Sequence, residues 1–201
     1  HKGILASRNP FIVTTDADTL PHTDWLLTIA RYFAATGATL LLGPVAITGN
    51  DLFSRLQALE FSSLQASTAG AAGLNMPVMA NGANLAFSRS AYMHVQETLP
   101  GHIVSGDDIF LLHAIKRHPG YQIGYIRSAR ALVQTYAASS LRAFIRQRVR
   151  WTSKSTHYRD VQTIITAMLV AGTAISLLAA LGSGIGTGNW WLLLSLFLLK
   201  S

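Results

Sequence analysis

Short apolar runs alternate with amphipathic segments over the first two thirds of the chain. Four apolar runs predict buried strands, at 11–15, 38–47, 79–87 and 121–126. Apolar residues at helical spacing predict helices at 23–35, 52–64 and 107–118, whereas small residues predict a loop at 67–75. Because strands interleaved with helices are typical of α/β sheets, we expect an α/β fold with its ligand site at the carboxyl ends of the strands.

The segment Ser139–Tyr158 has a different pattern. Leu141, Phe144, Ile145 and Val149 recur at helical spacing, and arginines occupy much of the remaining circumference. This pattern predicts a basic amphipathic helix at a membrane interface. An ordinary surface helix that packs on a globular core fits the pattern equally well.

The C-terminal part is apolar, with no charged residue from Val161 to Trp191. The run Val161–Leu181 has about the 20 residues that a membrane span needs. A glycine-rich break follows, and a second apolar run continues from Asn189 to Lys200. We therefore predict three parts: a catalytic domain at 1–138, an interfacial helix at 139–160, and a transmembrane region at 161–201 with one span and the start of a second.

Composition and charge narrow the class of protein. The chain has 16 Lys+Arg, 9 Asp+Glu, no cysteine and 50% hydrophobic residues, which excludes disulfide frameworks and cysteine nucleophiles and disfavours nucleic-acid binding. Ten cations and no acid lie between Ile109 and Arg159. By the positive-inside tendency, residues 1–160 are expected on the cytoplasmic side of the cell (inner) membrane, in a multi-pass protein. Alternatively, these cations serve only to set the orientation of the chain in the membrane and to contact anionic lipid headgroups.

Asp16 and Asp18 follow the first predicted strand directly. Two carboxylates at this spacing can place oxygens on one divalent cation, Mg²⁺ or Mn²⁺, that neutralises phosphate. A turn that caps the following helix explains the same residues.

Asp107 and Asp108, in the string Ser105-Gly-Asp-Asp108, stand at a predicted helix start. One of them can act as a general base towards an attacking hydroxyl, with the other orienting it. Helix capping, favoured by the helix dipole, is the alternative interpretation.

Gln147, Arg150 and Trp151 lie on neighbouring turns of the basic helix. The amide and guanidinium can hold a diphosphate leaving group, and the indole can offer a flat face to a sugar ring. The alternative is an interfacial tryptophan flanked by snorkelling arginines.

Together these motifs resemble the membrane-bound family 2 glycosyltransferases, which have a GT-A fold and include cellulose, chitin, hyaluronan and poly-N-acetylglucosamine synthases. Thr15-Asp-Ala-Asp18, Gly106-Asp-Asp108 and Gln147-Arg-Val-Arg-Trp151 stand in the family's order, and Asn81-Gly-Ala-Asn-Leu-Ala-Phe87 is similar to the family's intervening loop. The resemblance implies a metal at Asp16 and Asp18 and a catalytic base at Asp108, with Asp107 beside it. It also implies donor and acceptor contacts from Gln147, Arg150, Trp151, Asn81, Gly82 and Asn84.

Two departures from the family pattern bear on these roles. The family's first strands, with an early aspartate that contacts the nucleotide base, have no counterpart here, so we expect a fragment that lacks the N-terminal part. The acid pair reads Gly-Asp-Asp where many members have Thr-Glu-Asp, which makes the role of Asp107 less secure than that of Asp108.

The expected activity is inverting transfer of a sugar from a nucleotide-diphosphate donor to a hydroxyl of a polysaccharide or lipid-linked acceptor. Membrane lipids are the other expected partners, and no nucleic acid is expected. Two alternatives remain: transfer of a single sugar to a lipid, as in ceramide glucosyltransferases, and a non-catalytic membrane-anchored subunit.

Overall fold

The computed structural model describes residues 2–99, 107–153, 158–188, 190–191 and 195. The chain divides into two units, residues 1–158 and residues 159–201.

The first unit contains six helices and seven strands among its described residues. The helices are α1 (Lys2–Ala6), α2 (Trp25–Thr36), α3 (Leu52–Gly73), α4 (Arg89–Val95), α5 (Asp107–Lys116) and α6 (Leu141–Thr152). The strands are β1 (Phe11–Thr14), β2 (Thr19–Pro21), β3 (Leu40–Leu42), β4 (Val45–Thr48), β5 (Leu85–Ser88), β6 (Ile123–Tyr125) and β7 (Val133–Tyr136). Short 3₁₀ turns lie at Gly82–Asn84, Gln96–Thr98 and Ala129–Ala131.

The strands form two mixed sheets. The larger has the order β1-β5-β3-β6, in which β5 runs antiparallel to both neighbours and β3 runs parallel to β6. The smaller has the order β2-β7-β4, in which β7 pairs in parallel with β4 and antiparallel with β2. This architecture confirms the α/β class and fits a GT-A-like domain.

Alternating side chains of the larger sheet supply two hydrophobic clusters. Leu41 and Ala86 belong to the cluster that includes Trp25 of α2, while Leu40 and Phe87 belong to the cluster that includes α4 and α5. This division follows from the two-residue period of a strand, which sends successive side chains to opposite faces. The sheet is therefore covered by apolar side chains on both faces, so polar site residues are expected at its edges.

The predicted strand at 38–47 is wrong as one element. It is two strands in different sheets, β3 and β4, separated by Gly43 and Pro44. A Cβ at Gly43 would lie 2.2 Å from the Asn84 side chain, so only glycine fits this close approach. The break lets the chain leave one sheet and enter the other.

The predicted loop at 67–75 is also wrong in most of its length, because α3 continues to Gly73. Thr68 and Ala72 are buried in this part, and the Thr68 hydroxyl donates to the Leu64 carbonyl at 2.8 Å. Tertiary packing thus overrides weak helix propensity. The chain turns away at Asn75, whose φ of 57° lies in the left-handed region that asparagine tolerates.

The second unit contains α7 (Val161–Thr187), which begins where the Asp160 carboxylate accepts from the Thr163 amide at 2.9 Å. In the part of the chain that the structure describes, no helix combines the length and apolar character needed to cross a membrane. The predicted span at Val161–Leu181 is therefore unsupported. The second predicted run, from Asn189, falls mostly outside the described residues.

Candidate active site

The strand β1 ends at the candidate acidic site. Asp16 and Asp18 lie in the loop to β2, which is closed where the Thr19 hydroxyl donates to the Asp16 carbonyl at 2.7 Å and meets the Thr15 hydroxyl at 2.8 Å. Partial burial raises the pKa of Asp16, the negative charge of Asp18 raises it further, and the Arg150 guanidinium opposes both. The two carboxylates and Arg150 therefore share one electrostatic environment, although more than 130 residues separate them along the chain.

A chain of hydrogen bonds connects the end of β1 to Asp108. The Thr14 hydroxyl donates to the Gly82 carbonyl at 2.8 Å, and the Gly82 amide donates to Asp108 Oδ2 at 2.9 Å. The other oxygen, Oδ1, accepts from the Ile109 amide at 2.9 Å at the start of α5. Both carboxylate oxygens are thus held, and the half-buried group has a fixed orientation.

The structure makes Asp108 more than a helix cap. It is the second residue of α5, and its carboxylate bridges the helix to a loop 26 residues upstream. The backbone of Asp107 opens the same helix, while its side chain, like Ser105 and Gly106, lies outside the described part. The predicted role of Asp107 therefore stays a prediction.

Tyr158 is a site residue that sequence reasoning missed. Its ring packs edge-to-face on Phe110 and His113 of α5, with centroids 5.8 and 5.5 Å apart. Burial, and then the negative charge of Asp108, raises the pKa of Tyr158 to about 12. The phenol is therefore neutral at physiological pH and lies in the field of the candidate base.

The basic helix is confirmed over Leu141–Thr152, beginning where the Ser140 hydroxyl accepts from the Ala143 amide at 3.2 Å. Arg150 is exposed on the Asp16 side, and Gln147 is half-buried. The charge of Arg150, in the third motif, therefore acts on Asp16 in the first motif, and its predicted role as a diphosphate clamp stays a prediction.

Trp151 differs from the prediction in one respect. It is half-buried against the α2-side cluster, with its ring 6.2 Å from Phe61, and the Arg148 guanidinium lies 4.2 Å from the indole centroid. One face of the indole is therefore covered by a cation. The same guanidinium lies 4.7 Å from the Phe144 ring and forms an ion pair with Glu60 of α3. Arg148 was not singled out in the sequence, since one arginine among many carries no signal of such packing.

The polar groups of the loop Asn81–Asn84 form hydrogen bonds within the protein, and the predicted contacts of Asn81 and Gly82 with donor or acceptor stay a prediction. Asn84 is 1% exposed, accepts from Trp25 Nε1 at 3.0 Å, and donates to the carbonyls of Pro44 and Ala131 at 2.8 and 2.7 Å. Its amide is fully engaged by the protein, so a direct ligand contact from Asn84 is not supported. Asn81 caps the 3₁₀ turn by accepting from the Ala83 amide at 3.0 Å. Gly82 acts through its backbone on Asp108.

Asp16 and Asp18 are the residues that could hold a metal ion. Carboxylate oxygens suit hard divalent cations such as Mg²⁺ or Mn²⁺, which commonly bind through one or two carboxylates plus substrate phosphates. Within the described residues, no group of three His, Cys, Asp or Glu side chains is placed to form a complete protein cage. The two carboxylates fit a cation that shares its remaining positions with phosphate and water.

Comparison with known families identifies the family to which this chain is similar. The model of glycosyl transferase family group 2 matches residues 11–200, which includes every candidate residue above. Comparison with curated proteins finds no match.

Proposed function

The chain belongs to glycosyl transferase family group 2 and is a glycosyltransferase that uses a nucleotide-sugar donor; we propose that it inverts the anomeric centre by direct displacement. In this reaction the acceptor hydroxyl oxygen bonds to the anomeric carbon as the carbon–oxygen bond to the diphosphate breaks. The proton leaves the hydroxyl, and the electron pair leaves with the nucleoside diphosphate. A base and a stabiliser of the departing charge are both needed.

Asp108 is the proposed base. The observation that carries the proposal is the hydrogen bond from the Gly82 amide to Asp108 Oδ2, at 2.9 Å, because it fixes the carboxylate against the Asn81–Asn84 loop, whose Gly82 carbonyl accepts from Thr14 at the end of β1. A carboxylate held this way can take the acceptor proton without first reorganising. No covalent intermediate with a carboxylate is required, since the acceptor itself attacks.

Arg150, Asp16 and Asp18 form the proposed leaving-group subsite. The guanidinium neutralises charge that develops on the diphosphate, and its planar fork can bind two phosphate oxygens at once. Asp16 and Asp18 would hold Mg²⁺ or Mn²⁺, which when bound supplies further positive charge for the diphosphate. Gln147 lies one helical turn before Arg150 and is proposed to donate to the same group.

The acceptor is proposed to be a polysaccharide or lipid-linked hydroxyl at the cytoplasmic face of the membrane. The basic helix α6 supports this location, because it carries arginines beside aliphatic side chains that are exposed. The length of the product, a ladder or a single species, distinguishes polymer extension from single transfer.

The test compares Asp108→Asn with Asp24→Asn in the intact protein, solubilised in detergent or placed in nanodiscs. Asparagine at 108 keeps an oxygen that accepts from the Gly82 amide but loses the acceptor of the Ile109 amide, so circular dichroism is used to check that the fold is retained while the base is lost. We expect kcat to fall roughly 10²- to 10⁴-fold, as is typical of lost general-base catalysis, with donor affinity nearly unchanged. Asp24 is a matched surface control, paired with Arg130 at 3.8 Å. Turnover of Asp108→Asn equal to that of the parent would show that this carboxylate is only structural.

A further inference from the structure

Two histidines and a tyrosine meet at the surface of the first unit. His94 Nδ1 lies 2.9 Å from the hydroxyl oxygen of Tyr121. The ring centroids of His94 and His118 are 4.3 Å apart, and those of His118 and Tyr121 are 5.1 Å apart. His94 is exposed, while His118 and Tyr121 are half-buried. Three side chains that can ligate a metal ion therefore form one accessible cluster.

The sequence His118-Pro-Gly-Tyr121 explains two of these three positions. The Tyr121 amide donates to the His118 carbonyl at 3.2 Å, and Gly120 has a φ of 88°. Proline at the second position of a turn and a left-handed glycine at the third are typical of a type II β-turn. Because such a turn brings its first and fourth residues together, the imidazole and the phenol are set side by side just before the chain enters β6.

Helix α4 supplies the third side chain. His94 lies in its last turn, and Ser90, four residues earlier, lies on the same face of the helix. Ser90, Gly120 and Tyr121 line a cavity of about 370 Å³. The face of α4 that carries Ser90 and His94 therefore faces the turn, and the cavity beside the cluster has room for water molecules.

The cluster and the candidate active site lie at opposite edges of the larger sheet. Strands β1, β3 and β6 run in the same direction, so their amino ends share one edge and their carboxyl ends share the other. The turn that ends at Tyr121 leads into the amino end of β6, whereas Asp16 follows the carboxyl end of β1. A ligand bound at the cluster would therefore be separate from the donor.

The ligating atoms suit a borderline transition-metal ion such as Zn²⁺. Zinc binds imidazole nitrogen at about 2.0–2.1 Å, which sets neighbouring ligand atoms of a tetrahedral site about 3.3 Å apart. The 2.9 Å between His94 Nδ1 and the Tyr121 oxygen is close to that separation, so a small rotation of the rings accommodates an ion. Within the described residues, no third His, Cys, Asp or Glu joins the two histidines, so water would complete the coordination.

The charges that neighbour the cluster in the sequence do not exclude a cation. Lys116 donates to the Pro77 carbonyl at 2.9 Å, which holds its ammonium group on that carbonyl. Arg117 and Glu97 are exposed and carry opposite charges. Since water and salt screen exposed charges, their effect on a bound ion is small.

We propose that His94, His118 and Tyr121 form a Zn²⁺ site that cross-links α4 to the turn before β6. The Tyr121 oxygen bonds to the ion as its proton leaves to solvent, and the two imidazoles bind through nitrogen lone pairs. Because the site is assembled by the fold, an ion bound there stabilises the folded chain. The proposal is independent of the chemistry of sugar transfer.

The test measures Zn²⁺ binding to the full chain in detergent by calorimetry, with excess Mg²⁺ to occupy oxygen-ligand sites such as the one proposed at Asp16 and Asp18. His94→Gln and His118→Gln should each weaken binding by at least the roughly 10- to 100-fold that loss of an outer-sphere partner costs. Tyr121→Phe should weaken binding less and reduce the number of protons released. His22→Gln, which replaces another exposed histidine, is the matched control and should leave the affinity unchanged.

Two further measurements make the test decisive. Zn²⁺ should raise the unfolding temperature of the parent and of His22→Gln, but not that of His94→Gln or His118→Gln. X-ray absorption of the zinc-loaded parent should show two imidazole ligands, a result that does not depend on the folding of any variant.

No Zn²⁺ binding, or binding that survives either histidine substitution, would overturn the proposal and leave the cluster as a packing contact between α4 and the turn. An absorption spectrum without imidazole ligands would overturn it as well, and so would equal weakening by His22→Gln. Because none of these measurements uses turnover, failure of the zinc site and failure of the transfer mechanism are distinguishable.

Discussion

Replacing Asn84 by alanine tests whether this asparagine supports the fold or contacts substrate. Alanine removes its hydrogen bonds with Trp25, Pro44 and Ala131, at 3.0, 2.8 and 2.7 Å. The Pro44 carbonyl keeps the Val133 amide as a donor, at 3.1 Å, so the cost falls mainly on the Trp25 N–H and the Ala131 carbonyl. At about 1–3 kcal/mol for each buried group left unpaired, we expect a loss of roughly 4 kcal/mol in the free energy of unfolding.

The assay is denaturant unfolding of the full chain followed by far-UV circular dichroism, with nucleotide binding measured on the folded protein. Asn81→Ala is the control, because Asn81 caps one short turn and its loss should cost about 1 kcal/mol. Asn84→Asp adds a sharper comparison, since a carboxylate would face the two carbonyls that now accept from the amide. At neutral pH, Asn84→Asp should lower the free energy of unfolding more than Asn84→Ala does. At acidic pH the loss should become smaller, because the carboxyl group is then protonated.

The opposite pattern would refute the structural role. If Asn84→Ala unfolds like the parent but binds nucleotide much more weakly, the amide contacts the donor in a conformation that differs from this one. The prediction from the family motif would then be right, and the three hydrogen bonds of Asn84 would not determine its role.

Arg148→Ala should lower the free energy of unfolding by about 2 kcal/mol, because a partly desolvated guanidinium loses its ring contact with Trp151 and its pairing with Glu60. Glu60→Gln, measured in the same denaturation assay, should cost less than about 1 kcal/mol, since the pair is partly exposed; equal losses would contradict this division. The folded-state pKa of Tyr158, about 12, lies above its ordinary value of 10.0, so its stabilisation is present below pH 10 and is lost as pH rises towards 12. Tyr158→Phe should flatten the fall in stability over that range, and Asp108→Asn should shift the phenol's spectroscopic titration to lower pH; an unchanged titration would show that the two groups do not interact.

The elements that the sequence predicted well are those whose signal is local. The strand before Asp16 has the expected bounds within one residue, and the helix after Ser140 begins within two residues of its predicted start, although it ends at Thr152, earlier than predicted. These starts are predictable because periodicity and capping are properties of neighbouring residues. The elements predicted wrongly depend on distant partners. Residues 38–47 look like one strand until Asn84, some forty residues away, occupies the space where a side chain at Gly43 would lie.

The candidate site divides in the same way. Its motifs can be found in the sequence, since acids after a strand and a Gln-x-x-Arg-Trp string are linear patterns. The contact that orients Asp108, the proposed base, cannot be found in the sequence, because Gly82 acts through its backbone amide and any residue except proline has one. Tyr158 could not be identified from the sequence for a related reason. Its position beside Asp108 depends on packing against Phe110 and His113 of α5, which are distant in the sequence.

Helix α6 explains why a short string can be so informative. Three faces of α6 have different surroundings. Arg148 pairs with Glu60 of α3, and Ile145 is exposed. The charge of Arg150 acts on the carboxyl group of Asp16. Since residues three and four apart share a face, Gln147, Arg150 and the adjacent indole can serve one site only at this spacing. A one-residue shift would rotate the helix by about 100°, which would move Arg150 away from Asp16 and turn the exposed aliphatic side chains of α6 in another direction. The spacing is therefore constrained by packing, surface and site at once, and substitutions confined to one face should change stability, lipid contact or turnover separately.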